Sequence, residues 1–368
     1  MKNQLTLAIE SSCDDTSIAI IQNDWTNFVV KKIVAYSQIS DHQKYGGVVP
    51  ELAYRIHEEK IIKLIDEIWR SQINEVDTIS VTAEPWLMGS LMIGLTSAYA
   101  IGKFLNKPVI EVNHIYGHIF SILLERDITK IKLPMAVLTV SGGHNEIYII
   151  NHQNKAKSDN ISDIYIDNVD SLTDWNNTKI SDLQIQKIGH TLDDAAGESF
   201  DKVARMLGGS YPGGPWIYNQ SLDGKHNTDY IFPRIRLDAN RKYDFSFSGM
   251  KSCANQIITK FEKSGISPSE QDVCDICREF QEAVNDTLIY KWQMAVQDFD
   301  CKTIAIVGWV SANDRLFEKF LQKFGIYYWD NLTNIVEWNT NDIYICRPVR
   351  KLYSTDNAAM IWVVWLMS

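Results

Sequence analysis

The sequence contains no run of about 18 uninterrupted apolar residues, the length that a membrane-spanning helix requires. Its first residues also lack the apolar core and the cleavage site of a secretory signal peptide. Its six cysteines are scattered, and the one close pair, Cys274 and Cys277, has no second pair with which to form a zinc site. These absences predict a cytoplasmic protein that does not enter a membrane, in which the cysteine pair is structural.

Positive charge is also scarce. The chain has 36 Lys and Arg against 46 Asp and Glu, a formal net charge of -10. Such a protein does not bind nucleic acid through one broad basic face, so any action on nucleic acid needs a local basic patch or a partner. The length of 368 residues and the 45% hydrophobic content suit a globular protein of two domains.

Two histidines four residues apart, His114 and His118, follow an apolar segment over 108–112 that reads as a strand. On a helix this spacing places both imidazoles on one face, with Cβ atoms roughly 5–6 Å apart. Two neutral imidazoles so placed can share a divalent ion whose other positions take a carboxylate, water or substrate. An isolated pair of this kind is more often two surface histidines, so the interpretation depends on the other motifs.

Two strand–turn–strand patterns have tips rich in small polar residues. The first tip contains Ser11, Ser12 and Asp14, and the second, between strands over 135–140 and 145–150, is Ser-Gly-Gly-His. Hydroxyl and backbone N–H groups at such tips can bind phosphate, although ordinary polar hairpins look the same. Together with alternating strands and helices, the two hairpins predict a duplicated α/β architecture with one phosphate-facing hairpin per lobe.

The pattern predicts an N-terminal lobe over 1–113, completed by a C-terminal helix over 355–368, and a second lobe over 114–354. Residues 151–187 are rich in Asn, Asp, Ser and Lys and contain no Gly or Pro, which indicates an exposed insertion, ordered only in part. Residues 51–69 read as an amphipathic helix, and 91–105 as a buried one.

Eight motifs occur in a fixed order along the chain. They are Glu-Ser-Ser-Cys-Asp-Asp-Thr at 10–16, Lys-Tyr-Gly-Gly-Val-Val-Pro-Glu-Leu-Ala at 44–53, Asn-His-Ile-Tyr-Gly-His at 113–118, Val-Ser-Gly-Gly-His at 140–144, Asp-Asp-Ala-Ala-Gly-Glu-Ser-Phe-Asp-Lys at 193–202, Tyr-Pro-Gly-Gly-Pro at 211–215, Phe-Ser-Phe-Ser-Gly at 245–249 and Thr-Asp-Asn-Ala-Ala-Met at 355–360. In this combination the sequence resembles the bacterial-type catalytic subunits of tRNA N6-adenosine threonylcarbamoyltransferase, formerly named O-sialoglycoprotein endopeptidases. The resemblance spans nearly the whole chain except 151–187.

The resemblance implies an actin/Hsp70/sugar-kinase fold, with two lobes around a nucleotide cleft. It implies transfer of the threonylcarbamoyl group from threonylcarbamoyl-AMP to N6 of the adenosine just 3′ of the anticodon, in tRNAs that read codons beginning with adenine. It also implies partners besides tRNA, namely a non-catalytic paralogue (TsaB-like) and a small ATPase (TsaE-like). The helix over 51–69 is a candidate for part of the paralogue contact, and plain core packing is an equally good account of it.

The resemblance also assigns site residues. His114, His118 and Asp356 correspond to the ligands of one divalent metal ion, Fe2+ or alternatively Zn2+; Asp356 read without the family is equally an N-terminal helix cap. The positions that bind the adenylate correspond to Thr139, Val140, Ser141, Gly142, Gly143, Asp201, Gly214 and Asn313. The resemblance does not identify a general base.

Two glycine positions of the family's motifs carry tryptophan here, Trp86 and Trp309. An indole does not readily adopt the positive φ that glycine tolerates, and it would fill space that the adenylate needs. Other tryptophans among the 11 lie in Asn- and Asp-rich turns or in the terminal segment: Trp25, Trp175, Trp329, Trp362 and Trp365. Our hypothesis is that many of them are UGA codons that the source organism reads as glycine, and UGG codons at 86 and 309 would contradict it.

Two other functions are compatible with the fold. If both tryptophans are real, the chain is a catalytically impaired homologue that acts as a scaffold in the same complex. A sugar or acyl kinase of the same superfold is the third hypothesis. Kinases depend on acidic magnesium sites, so the histidine pair together with Thr-Asp-Asn favours the transferase.

Overall fold

Two β-sheets organise the part of the chain that the computed structural model describes, residues 4–23, 27–69, 73–153, 179–324, 337–339 and 343–363. The first sheet has the strand order β3-β2-β1-β4-β5. Its strands are β1 (Gln4–Glu10), β2 (Asp15–Asn23), β3 (Phe28–Ser37), β4 (Thr78–Glu84) and β5 (Val109–Asn113). The strands β1 to β3 are antiparallel, and β4 and β5 continue the sheet in parallel with β1.

The second sheet has the strand order β10-β11-β9-β6-β7-β8. Its strands are β6 (Met135–Val140), β7 (Asn145–His152), β8 (Leu183–Gly189), β9 (Thr303–Val307), β10 (Glu337–Asn339) and β11 (Tyr344–Cys346). Here β6 to β8 are antiparallel, and β9 and β11 run parallel with β6. The two sheets therefore share one topology, which confirms the predicted duplicated α/β architecture.

The strands β6 and β9, at the centre of the second sheet, are buried along their whole length, as expected where both faces of a sheet are covered. The helices of the described residues are α1 (Ile39–His42), α2 (Pro50–Trp69), α3 (Met88–Leu105), α4 (His114–Phe120), α5 (Ala196–Met206), α6 (Gly213–Leu222), α7 (Ser248–Ser264), α8 (Glu270–Asp298) and α9 (Asp314–Lys323). A further buried cluster joins the two sheets through Val112, Phe120, Val137 and Val307.

The last described segment returns to the first sheet. It consists of two 3-10 helices, Lys351–Ser354 and Ala358–Val363, and the second packs against β1, β2 and α4. The predicted helix over 355–368 therefore begins only at Ala358 and has 3-10 geometry, and residues 364–368 lie outside the described residues. Asp356 lies in the irregular link between the two 3-10 helices. The lobe boundaries themselves stay a prediction.

The interpretation of 151–187 as an insertion is wrong at both ends. Its first residues belong to β7, and residues 183–187 begin β8, which pairs with β7. The polar composition hid β8 because it is an edge strand whose outward positions, such as Gln184 and Lys187, face solvent. Residues 154–178, the middle of the predicted insertion, lie outside the described residues.

The predicted helix over 91–105 is confirmed as part of α3, but the prediction that it is buried is wrong. The helix α3 packs on β4 and α2 with one side only, and its residues Met92, Tyr99 and Phe104 are exposed. Among the described residues it is the one helix that is long and apolar enough to cross a membrane by length and composition, and a third of it is buried. Its sequence is apolar on both faces, so hydrophobicity alone does not show which face is covered.

Candidate active site

The helix α4 begins at the first of the two predicted histidines. Asn113, the last residue of β5, caps the helix, because its side chain accepts hydrogen bonds from the backbone N–H groups of Ile115 and Tyr116 at 2.9 and 3.4 Å. This cap fixes His114 in the first turn and His118 one turn later. Both imidazoles are buried, and their ring centroids lie 4.7 Å apart at 90°.

The structure brings Asp356 to this pair from the other end of the chain. Its Oδ1 atom lies 3.1 Å from Nε2 of His118 and 3.6 Å from Nε2 of His114. The ligating atoms of all three residues lie within 4.8 Å of one another. Two atoms bound to one ion at about 2.0–2.2 Å lie roughly 3.0–3.5 Å apart. Two imidazoles and one carboxylate thus fit a divalent metal ion and leave coordination positions open.

A second carboxylate orients His114. Its Nδ1 atom lies 3.0 Å from Oγ of Ser12 and 3.3 Å from Oε2 of Glu10. Glu10 is fully buried and accepts two further hydrogen bonds, from the backbone N–H of Ser12 at 2.6 Å and from the hydroxyl of Thr82. A proton on Nδ1 leaves the Nε2 lone pair facing Asp356, which is the orientation that a metal ligand needs. Sequence analysis missed Glu10, although a carboxylate at the end of an apolar strand was a usable signal.

The cluster affects the protonation of its own members. Burial by itself lowers the pKa of His114, but the carboxylates of Asp356 and Glu10 outweigh it and raise that pKa above its usual range. Burial lowers the pKa of His118, and the hydrogen bond to Asp356 offsets this only in part. Burial raises the pKa of Asp356, but the two histidines outweigh it and lower that pKa. These shifts favour a neutral imidazole at His118 and a protonated one at His114, so a metal ion would compete with a proton at His114.

Several buried polar atoms around the cluster have no hydrogen-bond partner. They are Nδ1 of His118, Oδ2 of Asp14 and Oδ1 of Asp15. Burial, with the nearby charge of Asp356, raises the pKa of Asp14 to about 6. Burial, with the charge of Asp14, raises the pKa of Asp15 to about 8. Unsatisfied buried groups and perturbed carboxylates in one place are typical of a functional site.

Three adjoining cavities surround these residues. The central cavity, of about 400 Å³, is lined by His114, Asp356, Asp14, Ser141, Gly142, Gly143 and Lys202 among others. The apolar cavity, of about 310 Å³, is lined by Phe200, Tyr218, Val310, Gly214 and Asn313 among others. The outer cavity, also of about 310 Å³, is lined by Gln43, Lys44, Tyr45, Gly46, Arg205, Gly209 and Ser210 among others. Asp201 and Tyr211 line all three, so they stand at the junction.

The residues assigned to the adenylate fall into two groups. Those that line the apolar or central cavity are Ser141, Gly142, Gly143, Asp201, Gly214 and Asn313. Thr139 and Val140 are buried within β6 and line neither cavity. Asp201 accepts a hydrogen bond from the backbone N–H of Gly213 at 2.6 Å, and burial raises its pKa to about 6. The Asn313 side chain caps α9 and also donates to Gln281.

The first hairpin tip uses its hydroxyl groups within the protein. Ser11 donates to the backbone oxygen of Ser90 at 2.9 Å, and Ser12 contacts His114. Of the three residues assigned to the phosphate side, Asp14 is the one that lines the central cavity. Phosphate binding at this tip stays a prediction, and the contact that Ser12 makes is with a candidate metal ligand.

Trp86 has the backbone conformation of a glycine. Its φ is 112°, a value that costs a non-glycine residue about 1–3 kcal/mol. Its buried indole N–H has no partner, and its ring lies edge-on to His144 and His114, with centroids 4.7 and 5.8 Å away. The ring occupies space between the histidine cluster and Gly143, whose missing Cβ would lie 2.9 Å from it.

Trp309 lines both the apolar and the central cavity. It directly follows Gly308, whose φ is 85°. Its indole therefore lies where the two cavities meet. The buried Trp362 stacks on Phe28 with ring centroids 3.9 Å apart, and its N–H has no partner. Trp25, Trp175, Trp329 and Trp365 lie outside the described residues.

Comparison with solved structures supports the predicted fold. HypF from T. kodakarensis matches with a TM-score of 0.54 at 11% identity, over 99% of this chain and 48% of HypF. A phosphate- and nucleotide-bound form of HypF matches with a TM-score of 0.50 at 12% identity, over 99% of this chain and 54% of that chain. This chain thus spans about half the length of HypF. The likeness confirms the predicted actin/Hsp70/sugar-kinase fold. At this low identity it shows the fold alone.

Sequence comparison identifies the family. The family model described as "TsaD: tRNA N6-adenosine threonylcarbamoyltransferase" matches residues 29–183 and 176–363. A relative of that name from Staphylococcus saprophyticus is 37% identical over 361 residues, which cover 97% of this chain and 89% of the relative. Another from Kosmotoga olearia is 38% identical over 361 residues, which cover 97% of this chain and 91% of the relative. The chain belongs to the TsaD family.

Proposed function

We propose that this chain transfers the threonylcarbamoyl group from threonylcarbamoyl-AMP to N6 of the adenosine just 3′ of the anticodon, in tRNAs that read codons beginning with adenine. One observation carries the proposal: a chain of the TsaD family brings His114, His118 and Asp356 together, and two of them, His114 and Asp356, line a cavity that adjoins an apolar cavity. The product is threonylcarbamoyladenosine.

The three clustered residues would hold one divalent metal ion, Fe2+ or alternatively Zn2+. Two imidazoles and one carboxylate suit either ion, and the open positions suit a substrate oxygen. When bound, the ion supplies Lewis-acid stabilisation of negative charge on the carbamoyl oxygen. Glu10 and Ser12 keep Nε2 of His114 directed toward that position.

The cavities would bind the two parts of the donor separately. The apolar cavity, with Phe200, Tyr218 and Gly214, receives the adenine and ribose, and the Ser-Gly-Gly turn at 141–143 receives the phosphate. The threonylcarbamoyl group then lies in the central cavity beside the histidine cluster. The mixed anhydride already carries a good leaving group, so correct positioning of the weakly nucleophilic adenine amine supplies much of the rate.

The reaction needs a proton acceptor. The amine nitrogen forms a bond to the carbonyl carbon, the bond from that carbon to the AMP oxygen breaks, and the amine loses one proton. Asp14 and Asp201 both line the central cavity, and the pKa of each is raised to about 6 by burial. A carboxylate with such a pKa accepts a proton near neutral pH more effectively than an ordinary one.

The first lobe offers a surface for a partner. The helices α2 and α3 pack together and expose large apolar side chains, Ile62 at 69%, Met88 at 72% and Phe104 at 74% of their surface. Large exposed apolar side chains on two helices that pack together suit a protein interface. The opposite side of α2 is buried through Ile56, Ile61 and Leu64. Core packing therefore accounts for that side, and the partner contact is proposed for the exposed one. The paralogue of the family would bind the exposed face, and the small ATPase and tRNA would complete a cytoplasmic complex.

A transfer assay tests the proposal. The full chain, with its paralogue and ATPase partners, is incubated with threonylcarbamoyl-AMP and cognate tRNA, and threonylcarbamoyladenosine is measured by mass spectrometry. The chain as written is compared with a variant that carries Trp86→Gly and Trp309→Gly. We expect transfer by the variant, at a rate at least about tenfold above that of the chain as written, because the indoles fill the space of the donor. Absence of transfer by both proteins supports the scaffold alternative.

A further inference from the structure

The acceptor base needs an entrance that the donor does not occupy. In the proposed reaction the adenylate fills the apolar cavity, and its reactive carbon lies in the central cavity. The outer cavity joins the central cavity through Gly46, Asp201, Arg205 and Tyr211, which line both. It lies between the first lobe, which supplies 43–46, and α5 of the second lobe, which ends at Met206. A ligand in the outer cavity therefore reaches the central cavity from a different side than the adenylate.

Two cations line the outer cavity. Among the described residues neither Lys44 nor Arg205 forms an ion pair with a carboxylate within 4.0 Å, although Asp201, which lines the same cavity, interacts electrostatically with Arg205. Lys202, nearby on the central cavity, differs because it pairs with Asp194 and Glu198 at 2.7 Å each. In a chain of net charge -10, two such cations on one rim form a local positive patch. Phosphate groups of a nucleic acid are the ligands that this patch suits.

An aromatic ring stands beside those cations. The side chain of Tyr45 is 55% exposed at the rim of the outer cavity, and the ammonium of Lys44 lies 4.9 Å from its ring centroid. Gly46, with a φ of 71°, turns the chain directly after it. A Cβ at that position would lie 3.7 Å from Nη1 of Arg205, so the turn brings the guanidinium and the tyrosine to the same opening. An exposed ring flanked by cations is the combination that stacks an unpaired base and holds its phosphates.

We propose that the outer cavity is the entrance for the acceptor adenine of the tRNA. The ring of Tyr45 stacks on a base of the anticodon loop, and Lys44 and Arg205 bind the phosphates on either side. This inference rests on the proposed function and adds a location for the second substrate. The N6 atom then meets the carbonyl carbon at the junction that Asp201 lines. The new C–N bond forms there, and AMP leaves with its electron pair on the side of the apolar cavity while N6 gives up one proton.

Binding of a fluorescent anticodon stem-loop RNA to the full chain, without adenylate, tests the entrance. The variants are Tyr45→Ala, Tyr45→Phe and the double variant Lys44→Gln with Arg205→Gln. Lys263→Gln, an exposed cation near the end of α7 that lines none of the three cavities, is the charge control. We expect Tyr45→Ala to weaken binding about tenfold, and Tyr45→Phe to leave it within about twofold, because the ring is what stacks.

The salt dependence gives an independent readout. The magnitude of the slope of log binding constant against log salt concentration should fall by roughly 0.7–0.9 for each phosphate that the protein no longer neutralises. The double variant removes two cations, so it should lose the contribution of up to about two phosphates. The KM for tRNA should rise in the transfer assay, while the affinity for AMP stays unchanged. Binding and salt slopes equal to those of Lys263→Gln would overturn the inference, and so would a loss of AMP affinity in place of RNA affinity. If the unsubstituted chain binds the RNA through these residues but neither it nor the variant with Trp86→Gly and Trp309→Gly transfers the group, the proposed function fails and the site stands.

Discussion

The carboxylates beside the histidine cluster and those between α8 and α9 have opposite surroundings. Glu282 on α8 accepts hydrogen bonds from Arg315 at 2.6 and 3.0 Å and from Lys319 at 2.7 Å. Burial raises its pKa, but these two cations outweigh burial and lower the pKa to about 2. Asp14 and Asp15 are buried with an unpartnered oxygen each, and their pKa values rise to about 6 and about 8.

The difference separates structural from functional charge. Removal of a partly buried carboxylate that is fully paired destabilises the folded chain, because it leaves cations without partners. A buried carboxylate without a cation destabilises the chain unless it is protonated or a ligand supplies the missing charge. The ion pairs of Glu282 therefore connect α8 to α9, whereas Asp14, which lines the central cavity, has no cation partner among the described residues.

The largest effect is expected for His114→Ala. Removal of one of three ligands should abolish stoichiometric metal binding and lower transfer by about 1000-fold or more, because the charge on the carbamoyl oxygen loses its stabilisation. Metal content by plasma mass spectrometry and single-turnover transfer are the measurements. His226→Ala is the control, since His226 is an exposed histidine paired with Glu279 away from the cavities. Full metal occupancy in His114→Ala would contradict the assignment.

Glu10→Gln should weaken metal binding about 10–100-fold, because the carboxylate orients His114 without touching the ion. A chelator competition titration measures the affinity, and circular dichroism checks that the variant is folded. The matched control is Glu279→Gln, which changes another buried glutamate that contacts a histidine. Equal metal affinities in the two variants would show that Glu10 has only a packing role.

Glu282→Gln should lower the free energy of unfolding by about 2 kcal/mol at pH 7 and leave metal binding and transfer unchanged. The folded pKa is below the unfolded value, so the stabilisation is present above about pH 4.5 and is lost as the pH falls through about 2. Urea unfolding followed by fluorescence at several pH values measures it. A difference from the unsubstituted chain that does not shrink below pH 4 would argue against the ion pairs as its cause.

Asp15→Asn should have the opposite sign and a smaller effect. The folded pKa of Asp15 is above the unfolded value, so ionisation of the unfolded chain destabilises the native state progressively between about pH 4 and pH 8. The amide cannot ionise, and the variant should be more stable than the unsubstituted chain by about 1 kcal/mol at pH 7, with no gain below pH 4. The same urea unfolding experiment measures it. A loss of stability at pH 7 would show that the carboxylate is already compensated.

Local pattern was enough to predict much of the fold. The apolar runs over 135–140 and 145–150 located β6 and β7, because most of their residues are buried and need no polar alternation. The polar edge strand β8 was missed because most of its side chains are partly or fully exposed, so the strand has no apolar run. The exposed face of α3 was also missed, because an exposed apolar surface can have the same amino-acid composition as a buried one.

The sequence by itself determined the family motifs, the duplicated topology and the spacing that places His114 and His118 on one helical face. It named Asp356 only through the resemblance, because 238 positions separate it from His118 and no local periodicity connects them. Tertiary structure alone decided that Glu10 orients His114, that Ser12 contacts it, and that Trp86 is held at positive φ. It also decided that 43–46 meets α5 at one opening. Helix and strand periods act over a few residues, whereas these contacts depend on how the two sheets close on each other.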